Sequence, residues 1–163
     1  MDDSTLAQRV QSAVAALGVP FRVVPCEPAL ADTATFCARY GFAPEQSANC
    51  IIVAGKGDVR RFAACVVLAT NRLDVNGIIR RRLQARKCSF ATPEETIAVS
   101  DGMQIGGVTP FGLPDALPIW VDARVMAPPE IIVGGGSRSC KLLLAPAVFK
   151  RMPAVEIVTD LAR

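Results

Sequence analysis

Two glycine-rich segments carry the residues best suited to chemistry. Between Gly102 and Pro118 the chain reads Gly-Met-Gln-Ile-Gly-Gly-Val-Thr-Pro-Phe-Gly-Leu-Pro-Asp-Ala-Leu-Pro. That stretch is too rich in Gly and Pro for a helix or strand and too apolar for a flexible linker, so an ordered loop is expected. Its glycines let backbone N–H groups approach a ligand and its prolines stiffen the frame, a composition able to present fixed donors to an ester carbonyl or a phosphate. Gly134-Gly135-Gly136-Ser137-Arg138-Ser139 is a second cluster of the same kind. Plain tight turns would also account for both. The second cluster lacks the G-x-G-x-x-G spacing and no G-x-x-x-x-G-K-[ST] occurs in the chain, so kinase, NTPase and dehydrogenase readings have no motif behind them.

Missing residue types narrow the chemistry further. The chain contains no histidine, which removes Ser-His-Asp and Cys-His catalysis and His-ligated metals together. Its six cysteines, Cys26, Cys37, Cys50, Cys65, Cys88 and Cys140, lie at least eleven positions apart. Neither a zinc knuckle nor a thioredoxin-type pair can be written from that spacing, and small buried hydrophobes in a reducing compartment are expected instead. Neither metal nor cofactor is expected. The start Met1-Asp2-Asp3-Ser4 is acidic rather than basic-then-apolar, and no apolar run approaches the roughly 20 residues of a membrane span. A soluble, cytoplasmic protein is the expectation.

These loops must be held by regular elements. With 163 residues, 51% hydrophobic and 20% charged, the chain has the make-up of one globular domain, read here as 1–163 without a boundary. Leu6, Val10, Ala13, Val14 and Leu17 recur at helical spacing, with Ser4 placed to cap the start and Gly18 to end it. Phe21 to Val24 reads as a strand and Asp32 to Tyr40 as a helix closed by Gly41. Cys50 to Val53 and Val59 to Leu68 read as a hairpin about Gly55-Lys56-Gly57-Asp58. Asp74 to Ala85 reads as a helix with Val75, Ile78, Ile79 and Leu83 on its apolar stripe, and Thr92-Pro93-Glu94-Glu95 is a capping box opening another. Pro118 to Val121, Ile131 to Val133, Leu142 to Leu144 and Val155 to Val158 are strand-length, with a brief helix closing near Phe149. Strands and helices do not alternate regularly, so a single mixed α+β domain is predicted rather than a doubly wound parallel sheet.

Charge is unevenly placed. The net charge is +3, yet Lys56 to Lys87 holds nine basic residues (Lys56, Arg60, Arg61, Arg72, Arg80, Arg81, Arg82, Arg86 and Lys87) against Asp58 and Asp74. Such a band would attract a phosphate backbone by counterion release, and it equally fits a solvated helix face. With one Trp, one Tyr and seven Phe, any nucleic acid would be held by its phosphates and shape more than by stacking.

Gly106-Gly107-Val108-Thr109-Pro110-Phe111-Gly112-Leu113, then Pro118-Ile119-Trp120-Val121-Asp122, then Gly134-Gly135-Gly136-Ser137-Arg138 resemble the ordered signatures of the YbaK family, the prolyl-tRNA synthetase-associated editing domain. The resemblance runs from the first helix and Ala43-Pro44-Glu45-Gln46 to the last strand. It implies a mostly antiparallel, barrel-like sheet surrounded by helices. It also implies a free-standing deacylase that cleaves the ester of a mischarged, proline-type tRNA, with tRNA and prolyl-tRNA synthetase as partners. The family's Gly-x-x-x-Pro loop falls on Gly106 to Pro110, where it shapes the aminoacyl pocket. Catalysis there needs no protein base, because water or the terminal ribose hydroxyl takes part.

The resemblance assigns Asn49, Gly106, Thr109 and Pro110 to the catalytic site. It gives Gly107, Val108, Phe111, Gly112, Asp122, Gly134, Gly135, Gly136, Ser137 and Arg138 to the substrate pocket. Thr109 would orient water or backbone, having no base to activate it; Asp122 would serve equally well as a structural carboxylate. Arg138 is suited to phosphate at the tRNA terminus. Arg80, Arg81, Arg82, Arg86 and Lys87 are the expected tRNA contacts. One departure stands out: most members place a Lys-Thr pair where this chain has Asn49-Cys50, so the charge-assisted contact is absent at position 49. A non-catalytic tRNA or aminoacyl-ester binding module is therefore the alternative, and a small-molecule hydrolase or binder using the same pocket a third reading.

Overall fold

The structure is a computed structural model and describes residues 2–163. Helix α1 (Asp3–Ala16) buries Leu6, Val10 and Val14, the stripe that the spacing predicts. Its cap is Asp2 and not Ser4: the Asp2 carboxylate accepts from the Thr5 N–H at 2.8 Å, which leaves Ser4 inside the first turn. Strand β1 (Phe21–Pro25) follows, then α2 (Thr33–Tyr40), which Gly41 ends in the left-handed conformation. The predicted hairpin is β2 (Ser47–Lys56) and β3 (Arg61–Leu68).

The segment expected as one helix from Asp74 to Ala85 is different. The Asp74 carboxylate accepts from the N–H groups of Gly77 and Ile78, a wide π-helical turn covers Val75–Ile79, and only Arg80–Arg82 (α3) is α-helical. A side chain at Gly77 would run into that carboxylate, so the glycine permits the cap. The chain then turns at Gln84, with φ 53°, into a strand that the periodicity missed, β4 (Lys87–Phe90). Helix α4 (Pro93–Ser100) opens on the predicted box, Thr92 and Glu95 each accepting from the other's backbone N–H. Strands β5 (Ile119–Asp122), β6 (Ile131–Gly134), β7 (Cys140–Leu144) and β8 (Val155–Val158) complete the set, with a short 3-10 helix at Pro146–Arg151.

All eight strands form one mixed sheet in the order β1-β7-β6-β2-β3-β5-β8, with β4 on β2. The β1–β7, β6–β7, β2–β3 and β2–β4 pairs are antiparallel; β2–β6, β3–β5 and β5–β8 are parallel. Its inner face wraps one core in which Ile52, Val66, Val121, Val133 and Leu142 meet Val10, Val14, Phe111 and Phe149. The end strands β1 and β8 are not paired with each other among the described residues, so the sheet curves like a barrel without closing. On the outer face, Val53, Ala63, Cys65 and Trp120 pack against Ile79 and Leu83, while Ile132 and Leu143 pack against Phe36 of α2.

One detail of pairing positions the site. A single edge of β2 is shared: Ser47 and Ala48 pair with β6, whereas Val53 to Lys56 pair with β4. The Ile52 carbonyl accepts from Ala91 N–H. Asn49, Cys50 and Ile51 are left facing a split between two strands, where a ligand can reach a sheet edge that is otherwise covered.

Candidate functional site

A cavity of about 200 Å³ opens at that split. Asn49, Cys50 and Ile51 of β2 form one wall, Gly134 of β6 and Lys141 of β7 the floor, Asp32 and Thr33 at the start of α2 a third side, and Ile105, Gly106 and Val108 the rim. Asn49 is held by the Thr33 hydroxyl, which donates to its Oδ1 at 2.6 Å. The Asn49 amide nitrogen, a donor, is thereby aimed.

Glycines set the close approach of loop to sheet. A Cβ on Gly134 would lie 2.2 Å from the Val108 carbonyl oxygen, and one on Gly107 would lie 2.8 Å from the Ser137 carbonyl carbon. The Gly136 N–H donates to the Gly107 carbonyl at 2.8 Å. The two glycine-rich segments of the sequence therefore lie directly on each other, and Gly106 turns the rim with φ 94°.

The expected site residues separate into three groups. Asn49, Gly106, Val108 and Gly134 meet in the cavity. Gly107, Gly135, Gly136, Ser137 and Arg138 form its scaffold. Gly135 packs on Cys140 and Gly136 on Val10, and Ser137 Oγ donates to Asp3 while accepting from the Ser139 N–H. The Arg138 guanidinium donates to the carbonyls of Pro28 and Ile105 and to the Asp32 carboxylate, tying the rim to the entry of α2. The third group lies elsewhere. Thr109 is fully buried with no partner for its hydroxyl among the described residues, Pro110, Phe111 and Gly112 line a different, apolar hollow beside Leu17 and Met152, and Phe111 stacks on Phe149. Asp122 is buried outside the cavity lining, where its Oδ1 accepts from the Ala162 N–H at 3.2 Å.

Lys141 is the residue that sequence reasoning missed. Its side chain is only 8% exposed, yet it lines the cavity, donates to the Gly106 carbonyl at 3.3 Å and sits 5.1 Å from the centre of the Phe36 ring. Burial holds its amine below the usual lysine value. The signal was available: a lysine inside Cys140-Lys141-Leu142-Leu143-Leu144 is a charge in an otherwise apolar strand. Cys50 also lines the cavity, and burial pushes its thiol up to about 12, so it is no thiolate nucleophile at neutral pH. Among the described residues, no three acidic or cysteine side chains converge to hold a metal ion, and no helix is long and apolar enough to cross a membrane.

The basic band is partly spent on the fold. Arg80 donates to the carbonyls of Asn76 and Ala85; Arg82 pairs with Glu156 and lies 4.7 Å from the Trp120 ring centre. Arg81, Arg86 and Lys87 are exposed. Ile79 and Leu83, which flank α3, pack on the face of β2 that carries Val53, two pleats from Asn49 on the same face. The α3 arginines thus share the cavity's side of the sheet, whereas Lys87, next to Cys88 and paired with Lys56, lies on the opposite face.

The structure is thus a curved mixed sheet with a small, loop-rimmed cavity at a split strand edge. Residues 27–152 match the aminoacyl-tRNA editing domain model, and the chain belongs to that family. Among solved structures, it superposes on the hypothetical protein APE2540 with a TM-score of 0.80 at 21% identity, covering 95% of this chain and 99% of that one. A protein proposed as a trans-editing enzyme for prolyl tRNA synthetase gives a TM-score of 0.75 at 26% identity, with 93% and 94% covered.

Proposed function

We propose that the protein is a trans-acting deacylase that hydrolyses the ester joining a small, wrongly attached amino acid to a proline-type tRNA. Water adds to the ester carbonyl carbon, the bond to the ribose oxygen breaks, that oxygen takes up a proton, and the amino acid leaves as a carboxylate with release of one proton. The observation that carries this reading is the cavity itself. At about 200 Å³ it lies below the size of pockets for drug-sized ligands, which suits an aminoacyl group. A hollow of about 470 Å³ adjoins it, shares Thr33 and Asn49, and has room for the terminal nucleoside.

Catalysis in this reading is positional and electrostatic. Gly106 and Val108 present backbone at the rim, Asn49 offers an amide donor fixed by Thr33, and neither Cys50 nor Thr109 is set up as a nucleophile. The exposed Arg81, Arg86 and Lys87 supply phosphate contacts, with the salt sensitivity that such contacts carry. The relative proposed to act for prolyl tRNA synthetase supports that enzyme as the partner.

The test is release of labelled amino acid from proline-type tRNA charged with alanine, cysteine, serine or threonine, with Gly106→Ala as control. That variant places a Cβ at φ 94° against the Arg138 guanidinium, so rim geometry is lost. Release from one substrate, reduced at least tenfold in the variant, is expected. Salt-sensitive tRNA binding without release would identify a binding module, and binding indifferent to tRNA a small-molecule site.

A further inference from the structure

The register places Asn49 and Lys141 on either side of one glycine. Ala48 pairs with Val133 and Val133 with Leu142; Gly134 pairs with Lys141. One position further along β2, Asn49 falls in the row of Gly134 and Lys141, on the sheet face that carries Ile132, Leu143 and Phe36. The middle of the row has no side chain, and the Val108 backbone settles there. Asn49 and Lys141 therefore reach the same cavity from opposite sides of the loop.

Lys141 is poorly compensated for a buried charge. Among the described residues its ammonium forms no ion pair; it has one hydrogen bond, to Gly106 O, and the face of Phe36. An ammonium has three protons to give. A desolvated cation with spare donors against an open cavity is the arrangement in which ligand oxygens complete the shell.

We propose that Lys141 is the substrate-contacting cation of this cavity, its ammonium steadied by Gly106 and Phe36 and its remaining protons donated to the carbonyl oxygen of the aminoacyl ester. The assignment rests on the deacylase reading. As water adds to the carbonyl carbon, negative charge gathers on that oxygen, and a fixed cation in a dry site stabilises it more than it stabilises the ester. The charge missing at position 49 is thus delivered from β7, two strands away in the same row.

A pH dependence follows. Burial holds the Lys141 amine below its usual value; among its neighbours, Cys26 beyond β1, Cys37 of α2 and Asp32 favour the charged form, and Arg138 opposes it. The cation is complete below the lowered value and is lost as pH rises through it, so the enzyme-dependent rate falls on that limb.

The experiment compares wild type, Lys141→Met and Asn49→Lys/Lys141→Met on the aminoacyl-tRNA that the substrate panel identifies. Lys141→Met should lower kcat at least tenfold, change KM less than threefold, leave the melting temperature within a few degrees and abolish the alkaline limb. The double variant should regain most of the loss, which a purely structural lysine would not allow. Unchanged kcat, a loss that the second lysine does not rescue, or a rate that rises as the amine deprotonates would overturn the assignment. Should wild type release nothing, the deacylase reading fails separately, and Lys141 is then judged by its side-chain NMR signal with the 3′-amide analogues of alanyl-, cysteinyl-, seryl- and threonyl-adenosine. A shift with any of them keeps the contact; none sinks it.

Discussion

The fold buries two charged side chains among the described residues, Asp122 and Lys141, and treats them oppositely. Asp122 ends β5 against the segment Leu161–Arg163. Its Oδ1 accepts from Ala162 N–H and lies 3.5 Å from Arg124, whose own guanidinium donates to the Ala162 carbonyl at 2.7 Å. That segment is also tied by reciprocal backbone bonds between Arg72 and Arg163, so the carboxylate is one strut of a packed protein network, with its Oδ2 buried and without a hydrogen-bond partner among the described residues. Lys141 has one backbone partner, an aromatic face and a cavity. A buried charge whose partners are all protein groups holds structure; one whose remaining donors face open space is free to meet a ligand.

Breaking the first charge should give the largest stability effect. Asp122→Ala leaves the Ala162 N–H without its acceptor and Arg124 with Asp160 as its remaining carboxylate, a loss of about 3 kcal/mol, read as a lower urea midpoint with activity per folded molecule retained. A cost below about 1 kcal/mol would mean that the network closes without it. Gly134→Ala probes the row from its middle. The new methyl would have to displace the Val108 carbonyl, costing about 2 kcal/mol, and it should lower activity further than stability because the rim shifts. Equal activity per folded molecule would argue that the rim is not part of the reacting centre.

An exposed charge completes the comparison with the smallest effect. The Arg60 guanidinium, helped by the Thr92 N–H, holds the Glu95 carboxyl at about 2. A carboxylate lowered on folding stabilises above its ordinary value of 4.5 and loses that contribution as pH falls toward 2. Glu95→Gln, which keeps the acceptor for Thr92, should therefore unfold slightly more easily than wild type at pH 6 and equally easily near pH 2. A gap that stays constant in urea titrations across that range would assign the effect to the helix cap instead.

Much of this architecture was legible because it is local. The Thr92-Pro93-Glu94-Glu95 box, the stop at Gly41 and the turn between β2 and β3 need only neighbours in sequence, and Val155–Val158 was bounded correctly by its own composition. Misreadings arose where a distant partner decided. β4 forms because Arg86 N–H donates to the Lys56 carbonyl and Gly55 leaves room for Ala85 and Leu83, contacts across a reversal that helical periodicity over Asp74 to Ala85 could not register. The cap at Asp2 in place of Ser4 is a small local ambiguity between two good capping residues.

The candidate site divides along the same line. Residue types alone marked the two glycine-rich segments and excluded histidine chemistry, because those follow from what each residue can or cannot do; Asn49 stood out only through the family resemblance. Only the tertiary structure split the edge of β2 between β6 and β4, laid one glycine segment on the other, moved Asp122 and Pro110 away from the cavity and brought Lys141 into it. A chain can write its turns and caps in adjacent residues. A cavity is made by strand register and by backbones that meet across tens of residues, and its chemistry is decided by which side chain the pleat turns toward the gap.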